Sequence, residues 1–375
     1  MNYGVIVLPN DPLSVYVKQG NLHQFIERFE FYADQLGEVY IYNADDSDIT
    51  WPNSKIHIVN ERRSKNKLVD FLKKISALRR ISKQKKVAFI RVLEGGNFIK
   101  SAIGGIAGML SRKPVVVSLH GTYRGLAETQ KYKWYHMMIF GFMEFITKYT
   151  TSLTFVIDPM YIKELGWKDT YLIPNFVDGK LFSPKKTAKK WVGIYVGALH
   201  NRKGIPYLVE TVDNVRKKIP RARFAVAGAG ELKGDVENAE GIDYLGPVEH
   251  EKLPEYYNMS MLFVTATLHE GFAIPIVEAQ SCGLPVVATD LPPFHNNTLP
   301  GKTSILVPVK KPGKMADAIV ELYNDDKKTA KMGELGGGFA LEKFGKENVL
   351  GRETGLIKEY VDKFYGRSVE HYSSE

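Results

Sequence analysis

Short apolar runs, rich in β-branched and aromatic residues, alternate with longer helical patterns along the first half of this chain. The clearest runs cover residues 3–8, 38–43, 87–92, 114–119 and 153–157. A helical pattern with apolar residues at positions 68, 71, 72, 75 and 78 precedes the third run. Because strands that alternate with helices form parallel-sheet units, this order predicts an α/β fold.

The same alternation begins again at Trp191, which predicts a second unit of the same kind. A strand over residues 192–196 leads into a loop over 197–204 and a helix around 207–217. Two successive doubly wound units are the simplest interpretation, because single cores stop growing well short of 375 residues. The sequence predicts a first domain over residues 1–185 and a second over 186–349.

Composition excludes several classes of protein. The chain has one cysteine, Cys282, so an intrachain disulfide and a cysteine-rich zinc site are excluded. No apolar run reaches the roughly 18 residues that a membrane span requires. The first ten residues lack the basic flank and the long apolar core of a signal peptide. We therefore expect a cytoplasmic protein that does not span a membrane.

Positive charge is concentrated in the first half of the chain. Residues 1–190 hold 29 Lys and Arg against 17 Asp and Glu, whereas residues 191–375 hold 22 against 25. Between residues 62 and 86, eleven basic residues face a single acid, Asp70. Such a run is typical of a solvated helix face, of contact with the anionic inner face of the cell membrane, or of nucleic-acid binding. No base-reading or stacking module is recognisable, so nucleic acid is not an expected partner.

Two glutamates in one string, EGFAIPIVEAQSCGLPVV over residues 270–287, carry the strongest chemical signal. Pro275 suits the first turn of a helix, and the free amides at such a helix start attract phosphate or sugar oxygens. We expect Glu270 to lie beside a transferred sugar and Glu278 to accept hydrogen bonds from ribose hydroxyls. A lone pair of glutamates would instead indicate acids that favour the helix dipole. Between the two glutamates, the expected donor-binding residues are Gly271, Phe272, Ala273 and Ile274.

A basic pair follows the first strand of the second unit. Its loop reads GALHNRKG over residues 197–204 and begins at Gly197. Ligands of doubly wound folds bind at the carboxyl ends of the strands, where Arg202 and Lys203 can neutralise a diphosphate leaving group without a metal ion. The turn at Gly228 follows the next strand and lacks the spacing of a dinucleotide fingerprint, so NAD binding is not expected there.

Together these residues resemble the retaining glycosyltransferases of family four, which have the GT-B fold. The glutamates at 270 and 278 match the family's pair separated by seven residues, and residues 197–204 match its glycine-rich Lys-Gly loop. Its Pro-Asn-x-x-Asp element corresponds to residues 174–178, and its terminal pattern of Phe and then an Asn-Val-led helix corresponds to residues 344–349. Its Gly-x-Gly turn corresponds to residues 228–230, so the resemblance assigns Gly228 to the donor site. The resemblance implies two Rossmann-like domains facing across a cleft, with a helix at about 350–375 packing back on the first domain.

The resemblance also implies a reaction and its groups. A hexosyl unit would move from a nucleotide diphosphate sugar to an acceptor hydroxyl with retention of configuration, without a metal ion or a tightly bound cofactor. Arg202 and Lys203 would stabilise the departing diphosphate, and Glu270 would contact the donor sugar. The strand-end His120 would orient that sugar from the first domain. A leaving-group phosphate oxygen would take the acceptor proton after front-face attack.

The acceptor side of the first domain is less clearly marked. The family's glycine-rich loop after the first strand corresponds to residues 11–24, which offer only Gly20, and the His-Gly element supplies Gly121. Ala198 stands where many relatives have an arginine, and Arg202 would take over that charge. The positive first half favours an anionic or lipid-linked acceptor.

An aromatic and methionine-rich stretch over residues 131–149 has lysines near both ends. Because apolar residues cover nearly every face of the helix that it predicts, the stretch indicates either a core helix or one that dips into a bilayer interface.

Three other functions remain open. A sugar-nucleotide epimerase or a phosphorylase could use the same two-domain scaffold, and a basic nucleic-acid-binding protein is an alternative of another class. Donor turnover without an acceptor would indicate an epimerase, and a requirement for inorganic phosphate would indicate a phosphorylase.

Overall fold

The chain forms two compact units. The computed structural model describes residues 3–19, 22–44, 51, 53–62, 64–84, 87–121 and 132–367. The first unit comprises Met1–Pro174 and Leu350–Glu375, and the second comprises Asn175–Val349. This division falls before the boundary that the sequence placed at residue 185, because Val177 and Phe182 are buried in the core of the second unit.

The strands of the first unit form one parallel sheet. They are β1 (Gly4–Leu8), β2 (Val39–Asn43), β3 (Ile56–Asn60), β4 (Val87–Glu94), β5 (Val115–Leu119), β6 (Leu153–Val156) and β7 (Thr170–Leu172). Hydrogen bonds order them β3-β2-β1-β4-β5-β6-β7. The five strands expected from the apolar runs are confirmed. The apolar runs did not predict strands β3 and β7. Both lie at the sheet edges, where partly exposed residues weaken the apolar pattern.

Helices cover the sheet of the first unit. They are α1 (Leu13–Gln19), α2 (Leu22–Gln35), α3 (Lys67–Gln84), α4 (Ile99–Ser111), α5 (Trp134–Thr150) and α6 (Pro159–Leu165). Helices α3, α4 and α5 each connect strands that advance in the same direction across the sheet, so right-handed crossovers place all three on one face. In agreement, α4 packs against both α3 and α5.

The second unit has its own parallel sheet. Its strands are β8 (Trp191–Val196), β9 (Phe224–Ala227), β10 (Ile242–Gly246), β11 (Ser260–Thr265), β12 (Val286–Thr289) and β13 (Ser304–Val307). The order is β10-β9-β8-β11-β12-β13, with parallel pairing throughout. The chain reverses its direction of travel across the sheet at β8 and β11. Such a switch point opens a crevice at the carboxyl ends of the strands.

The helices of the second unit lie between and after these strands. They are α7 (Ile205–Lys218), α8 (Lys233–Glu237), α9 (Leu253–Asn258), α10 (Ile274–Ser281), α11 (Pro292–Asn297), α12 (Pro312–Asn324) and α13 (Asp326–Phe344). A last helix, α14 (Lys346–Phe364), carries the chain back into the first unit at Leu350.

A buried charged cluster fixes α14 within the first unit. Glu353 is fully buried and forms ion pairs with Arg28 and Arg91. The Tyr32 hydroxyl donates a further hydrogen bond to Glu353 Oε1 at 2.8 Å. Although burial opposes ionisation, the two guanidinium groups lower the pKa of Glu353, so its carboxylate stays charged.

Candidate active site

Two loops of the second unit meet at its switch point. One follows β8 and contains the basic pair, and the other follows β11 and contains Glu270. The carbonyl oxygen of Arg202 accepts hydrogen bonds from the Leu268 N–H at 2.9 Å and from Thr267 Oγ1 at 3.2 Å. Thr289, at the end of β12, donates from Oγ1 to the Thr267 carbonyl at 2.6 Å. These hydrogen bonds thus connect the carboxyl ends of β8, β11 and β12, which are neighbours in the sheet.

Two glycines are required by the backbone of this edge. Gly204 ends the basic loop with φ +70°, and a Cβ there would lie 1.9 Å from the carbonyl oxygen of Ala266. Gly228 has φ +147°, and a Cβ there would lie 1.8 Å from the carbonyl oxygen of Gly197. The absence of side chains therefore allows the loops after β8, β9 and β11 to pack closely.

The structure brings Lys203 and Glu270 together. Lys203 Nζ forms an ion pair with Glu270 Oε2, and both side chains are mostly buried. Arg202 has an exposed side chain. Burial and the Glu270 carboxylate raise the pKa of Tyr195, whereas Arg202 acts in the opposite direction. The ion pair places Lys203, and with it the adjacent Arg202, at the same end of the sheet as Glu270.

The start of α10 presents main-chain amides at this location. Ala273, with an extended backbone, precedes the helix, and Pro275 lies in its first turn. No side chain of the described residues caps this end of the helix. Gly271, Phe272 and Ile274 are each partly exposed. Uncapped amides together with the positive end of the helix dipole make this a setting for anionic or hydroxyl oxygens.

Glu278, the fifth residue of α10, is nearly fully buried and has partners that the sequence did not reveal. Its Oε1 lies 2.8 Å from His250 Nε2, and its Oε2 accepts a hydrogen bond from the Tyr257 hydroxyl at 3.0 Å. Burial and the Glu278 carboxylate raise the pKa of Tyr257, so its phenol remains a donor. The centroid of the Phe182 ring lies 4.9 Å from the centroid of the His250 ring. These groups fix the orientation of the carboxylate, and each of its oxygens keeps capacity for a further donor.

In the first unit, His120 lies at the carboxyl end of β5. Its backbone N–H donates to the carbonyl oxygen of Glu94 at 3.0 Å. His120 is exposed to solvent. Desolvation by the surrounding protein and the guanidinium groups of Arg28 and Arg91 lower the pKa of His120 to about 4. The imidazole is therefore neutral at pH 7.

The neighbouring strand end carries a loop that the sequence analysis did not single out. The buried Glu94 carboxylate accepts hydrogen bonds from the Ser101 N–H and the Lys100 N–H, both at 3.1 Å, and so caps the start of α4. The Gly95 N–H donates to Asn10 Oδ1 at 2.9 Å. The sequence feature that could have predicted this loop is the pair of adjacent glycines at positions 95 and 96, which follow a strand. Gly121 is partly exposed beside this loop, and Gly20 lies outside the described residues.

The described residues contain no group of three or more His, Cys, Asp or Glu side chains that could hold a metal ion. The described helices also include none with the length and apolar character needed to cross a bilayer.

A family profile covers the part of the chain that holds this site. Residues 190–325 match the family described as Glycosyl transferases group 1. The matched region includes the basic loop, both glutamates and the two partners of Glu278. The family resemblance inferred from the sequence is confirmed.

Related sequences also match mainly over part of their length. Over 193 residues, the chain is 28% identical to the D-inositol 3-phosphate glycosyltransferase of Paenarthrobacter aurescens (strain TC1), covering 46% of this chain and 47% of that protein. The chain spans about half or less of the length of the curated relatives that it matches.

Solved structures match nearly the whole chain. Sucrose-phosphate synthase from Thermosynechococcus elongatus superposes with a TM-score of 0.71 at 19% identity, covering 94% of this chain and 98% of that one. HepE from Anabaena, solved in complex with UDP, gives a TM-score of 0.72 at 16% identity, covering 95% and 99%. At such identities the likeness shows the fold. The expected GT-B fold is confirmed.

Proposed function

We propose that this protein transfers a glycosyl unit from a nucleotide diphosphate sugar to an acceptor hydroxyl with retention of anomeric configuration. The observation that carries the proposal is the pairing of Lys203 with Glu270 at the switch point of the second sheet. The glycosyltransferase names of its relatives support it. A mostly buried cation held beside a carboxylate and an uncapped helix start suits a ligand that combines phosphate with hydroxyl groups.

In the proposed reaction, the bond between the anomeric carbon and the diphosphate oxygen breaks, and a bond from that carbon to the acceptor oxygen forms. The electron pair leaves with the nucleoside diphosphate, and the acceptor proton passes to a leaving-group phosphate oxygen. Lys203 and Arg202 stabilise the negative charge that develops on the diphosphate. Donors fixed before the reaction contribute most at this step, because they need no reorganisation as charge appears.

The two glutamates have different proposed roles. Glu270 orients Lys203 through the ion pair and accepts a hydrogen bond from a hydroxyl group of the donor sugar. Glu278 accepts hydrogen bonds from the ribose hydroxyls, with its carboxylate oriented by Tyr257 and His250. Gly197, Gly228 and the residues 271–274 complete the proposed donor site.

His120 is proposed to contact the transferred sugar near its reacting carbon. Its neutral imidazole can donate from one ring nitrogen and accept at the other, so it can orient a hydroxyl group without adding a second cation. Gly121 and Gly20 remain the proposed acceptor-side residues. The acceptor is proposed to be anionic or lipid-linked, because positive charge is concentrated in residues 1–190.

A thermal-shift panel of UDP-, GDP- and ADP-sugars tests donor binding, since a ligand that binds only the folded protein raises its Tm. UDP-sugars come first, because HepE was solved with UDP. We expect one nucleotide class to raise the Tm of the wild type and to raise that of Lys203→Ala by less, because the variant lacks one cation that binds the diphosphate. The matched control is Lys218→Ala, which removes an exposed lysine paired with Asp317 in the same unit. Equal shifts in wild type and Lys203→Ala would contradict the proposed site.

Product analysis then tests the reaction. The anomeric proton coupling of the product reports retention or inversion, once an acceptor has been found among sugar phosphates and lipid-linked sugars. Isomerised donor formed without an acceptor would instead indicate an epimerase. Turnover that requires inorganic phosphate would indicate a phosphorylase.

A further inference from the structure

Helix α5 turns an apolar side toward solvent. Trp134 is 74% exposed, Tyr149 is 69% exposed and Met138 is 65% exposed. The other large apolar residues exposed on this helix are Tyr135, Ile139, Phe142 and Phe145. Of the two sequence interpretations, a core helix is therefore wrong for this side of α5.

The exposed residues form a single stripe. Trp134, Met138, Phe142, Phe145 and Tyr149 follow one another at intervals of three or four residues, which brings them onto one side of the helix. At 1.5 Å per residue the stripe is about 22 Å long. The opposite side is the packed one, because Phe140 and Thr147 are buried there. Helix α5 is thus apolar on both sides, and the described residues cover only one of them.

Neighbouring residues enlarge this surface. Met109 and Leu110, near the end of α4, are also exposed, and α4 packs against α5. We call these two residues and the exposed residues of α5 the apolar face. Its five exposed aromatic side chains alone leave on the order of 500 Å² in contact with water. With the aliphatic residues added, the apolar face exceeds the few hundred Å² that monomeric proteins usually expose.

Positive charge surrounds the apolar face. Lys133 and Lys148 lie near the two ends of α5 and are exposed. On the other side of α4, in the same layer of helices, α3 exposes a set of cations that we call the basic face: Lys67, Lys73, Arg79, Arg80 and Lys83. Leu68 and Leu72 are exposed among these cations. One side of the first unit therefore combines apolar side chains, interface-seeking aromatics and lysines.

We propose that the apolar face docks on an anionic lipid bilayer, with the basic face contacting the lipid headgroups. Trp and Tyr favour the boundary between hydrocarbon and headgroups, and lysines beside them extend to the phosphates. A second copy of this chain is a poorer occupant, because joining two such surfaces would bring their cations together. In the proposed orientation, α5 lies along the interface and does not cross it.

Docking in this orientation has a consequence for the proposed acceptor. Helix α5 follows β5, so its Trp134 end lies at the carboxyl edge of the sheet, where His120 is placed. A bilayer that contacts the apolar face is therefore near the strand ends of the first unit. If the proposed glycosyl transfer holds, the acceptor class that fits is a lipid whose headgroup carries the attacking hydroxyl.

Vesicle co-sedimentation tests docking without any nucleotide sugar, so its result is independent of the proposed reaction. The probes are phosphatidylcholine vesicles with and without about 30 mol % phosphatidylglycerol. We expect the wild type to pellet with the anionic vesicles and to be released in part by about 0.5 M salt, which shortens the screening length. The double variant Phe142→Glu/Phe145→Glu should lower the partition coefficient about tenfold or more. Leu335→Glu, which alters an exposed apolar position of the second unit, should not lower it.

A fluorescence measurement on a less altered protein supports the same test. Cys282 is buried, so a cysteine introduced as Phe142→Cys can be labelled selectively with an environment-sensitive dye. Anionic vesicles should shift the emission of that label to the blue and leave a label at Leu335→Cys unchanged. The proposal is overturned if the wild type does not bind anionic vesicles, or if the double variant binds as well as the wild type. Dimers that the double variant dissociates, without vesicle binding, would also overturn it and identify a second copy as the occupant.

Discussion

Tyr257 donates a hydrogen bond from its hydroxyl to Glu278 Oε2 at 3.0 Å, and His250 Nε2 lies 2.8 Å from the other oxygen of the same carboxylate. A glutamate proposed to bind ribose is thus held in one orientation before any ligand arrives. Fixed orientation lowers the cost of binding, because fewer side-chain rotamers must be immobilised when the ligand enters.

Removing one of these partners should weaken donor binding more than turnover. In Tyr257→Phe the buried carboxylate loses a donor, so we expect a several-fold rise in the KM for the donor with kcat nearly unchanged. The free energy of unfolding should fall by about 1–3 kcal/mol. Tyr256→Phe is the matched control, because its side chain has no hydrogen bond to Glu278 in the structure. An unchanged KM in Tyr257→Phe would contradict the positioning role.

Loss of the cation at Lys203 should lower turnover in addition to weakening donor binding. Removing one preorganised donor that stabilises developing charge typically costs about 10²–10³ in rate, so Lys203→Ala should lower kcat by that factor. Steady-state kinetics with the donor found by thermal shift would measure it. A Lys203→Ala enzyme with wild-type kcat would show that the departing diphosphate is stabilised elsewhere.

A methyl group at Gly204 should distort the basic loop. The left-handed backbone and the Ala266 carbonyl at 1.9 Å leave no room for a Cβ, so Gly204→Ala should lower the free energy of unfolding by more than about 1 kcal/mol. It should also abolish the donor-induced rise in Tm. Gly234→Ala is the control, because nothing lies within 4 Å of a Cβ at that helical position. Normal donor binding by Gly204→Ala would show that the loop tolerates a side chain.

The pH dependence of stability should carry a contribution from His120. Its pKa falls from 6.5 in the unfolded chain to about 4 in the folded protein, so the unfolded chain binds more protons between these values. The contribution of neutral His120 to the free energy of unfolding is therefore complete above pH 6.5 and is lost as the pH falls toward 4. Between pH 7 and pH 5, His120→Gln should lose less Tm than the wild type. Identical losses in the two proteins would argue against a depressed pKa.

The Glu353 cluster should dominate the stability of the first unit. Glu353→Ala leaves two buried guanidinium groups without their carboxylate, a change that costs about 3–5 kcal/mol. Urea unfolding followed by circular dichroism measures it. Glu359→Ala removes an exposed acid from the same helix and should change the midpoint little. Similar midpoints for the two variants would show that the cluster contributes little to stability.

Local patterns in the sequence were sufficient for much of the fold and for part of the site. The buried strands and the loops that carry Lys203 and Glu270 follow from strand, glycine and helix-start signals within a few residues of one another. His250 and Tyr257 could not be found in this way. Tyr257 lies in α9, which packs against α10, and His250 lies in the short turn just before α9. Contacts between separate segments leave no periodic trace in either sequence.

The sequence also could not predict which charged residues would be buried. Glu353 lies in an amphipathic helix, where an acid usually faces water, and only the distant Arg28 and Arg91 explain its burial. On α5, apolar residues occur on every side, so periodicity could not show which side would be covered. In both helices, which side chains are buried depends on neighbours that are remote in the sequence.

The position of Glu353 also sets an order of events during synthesis. The arginines at positions 28 and 91 leave the ribosome early, but their shared carboxylate follows only after the whole of Asn175–Val349 has been made. The central segment can complete its core first, because domains generally fold as units while the chain grows. The first unit therefore completes its fold last, when the Glu353 carboxylate of α14 pairs with Arg28 and Arg91.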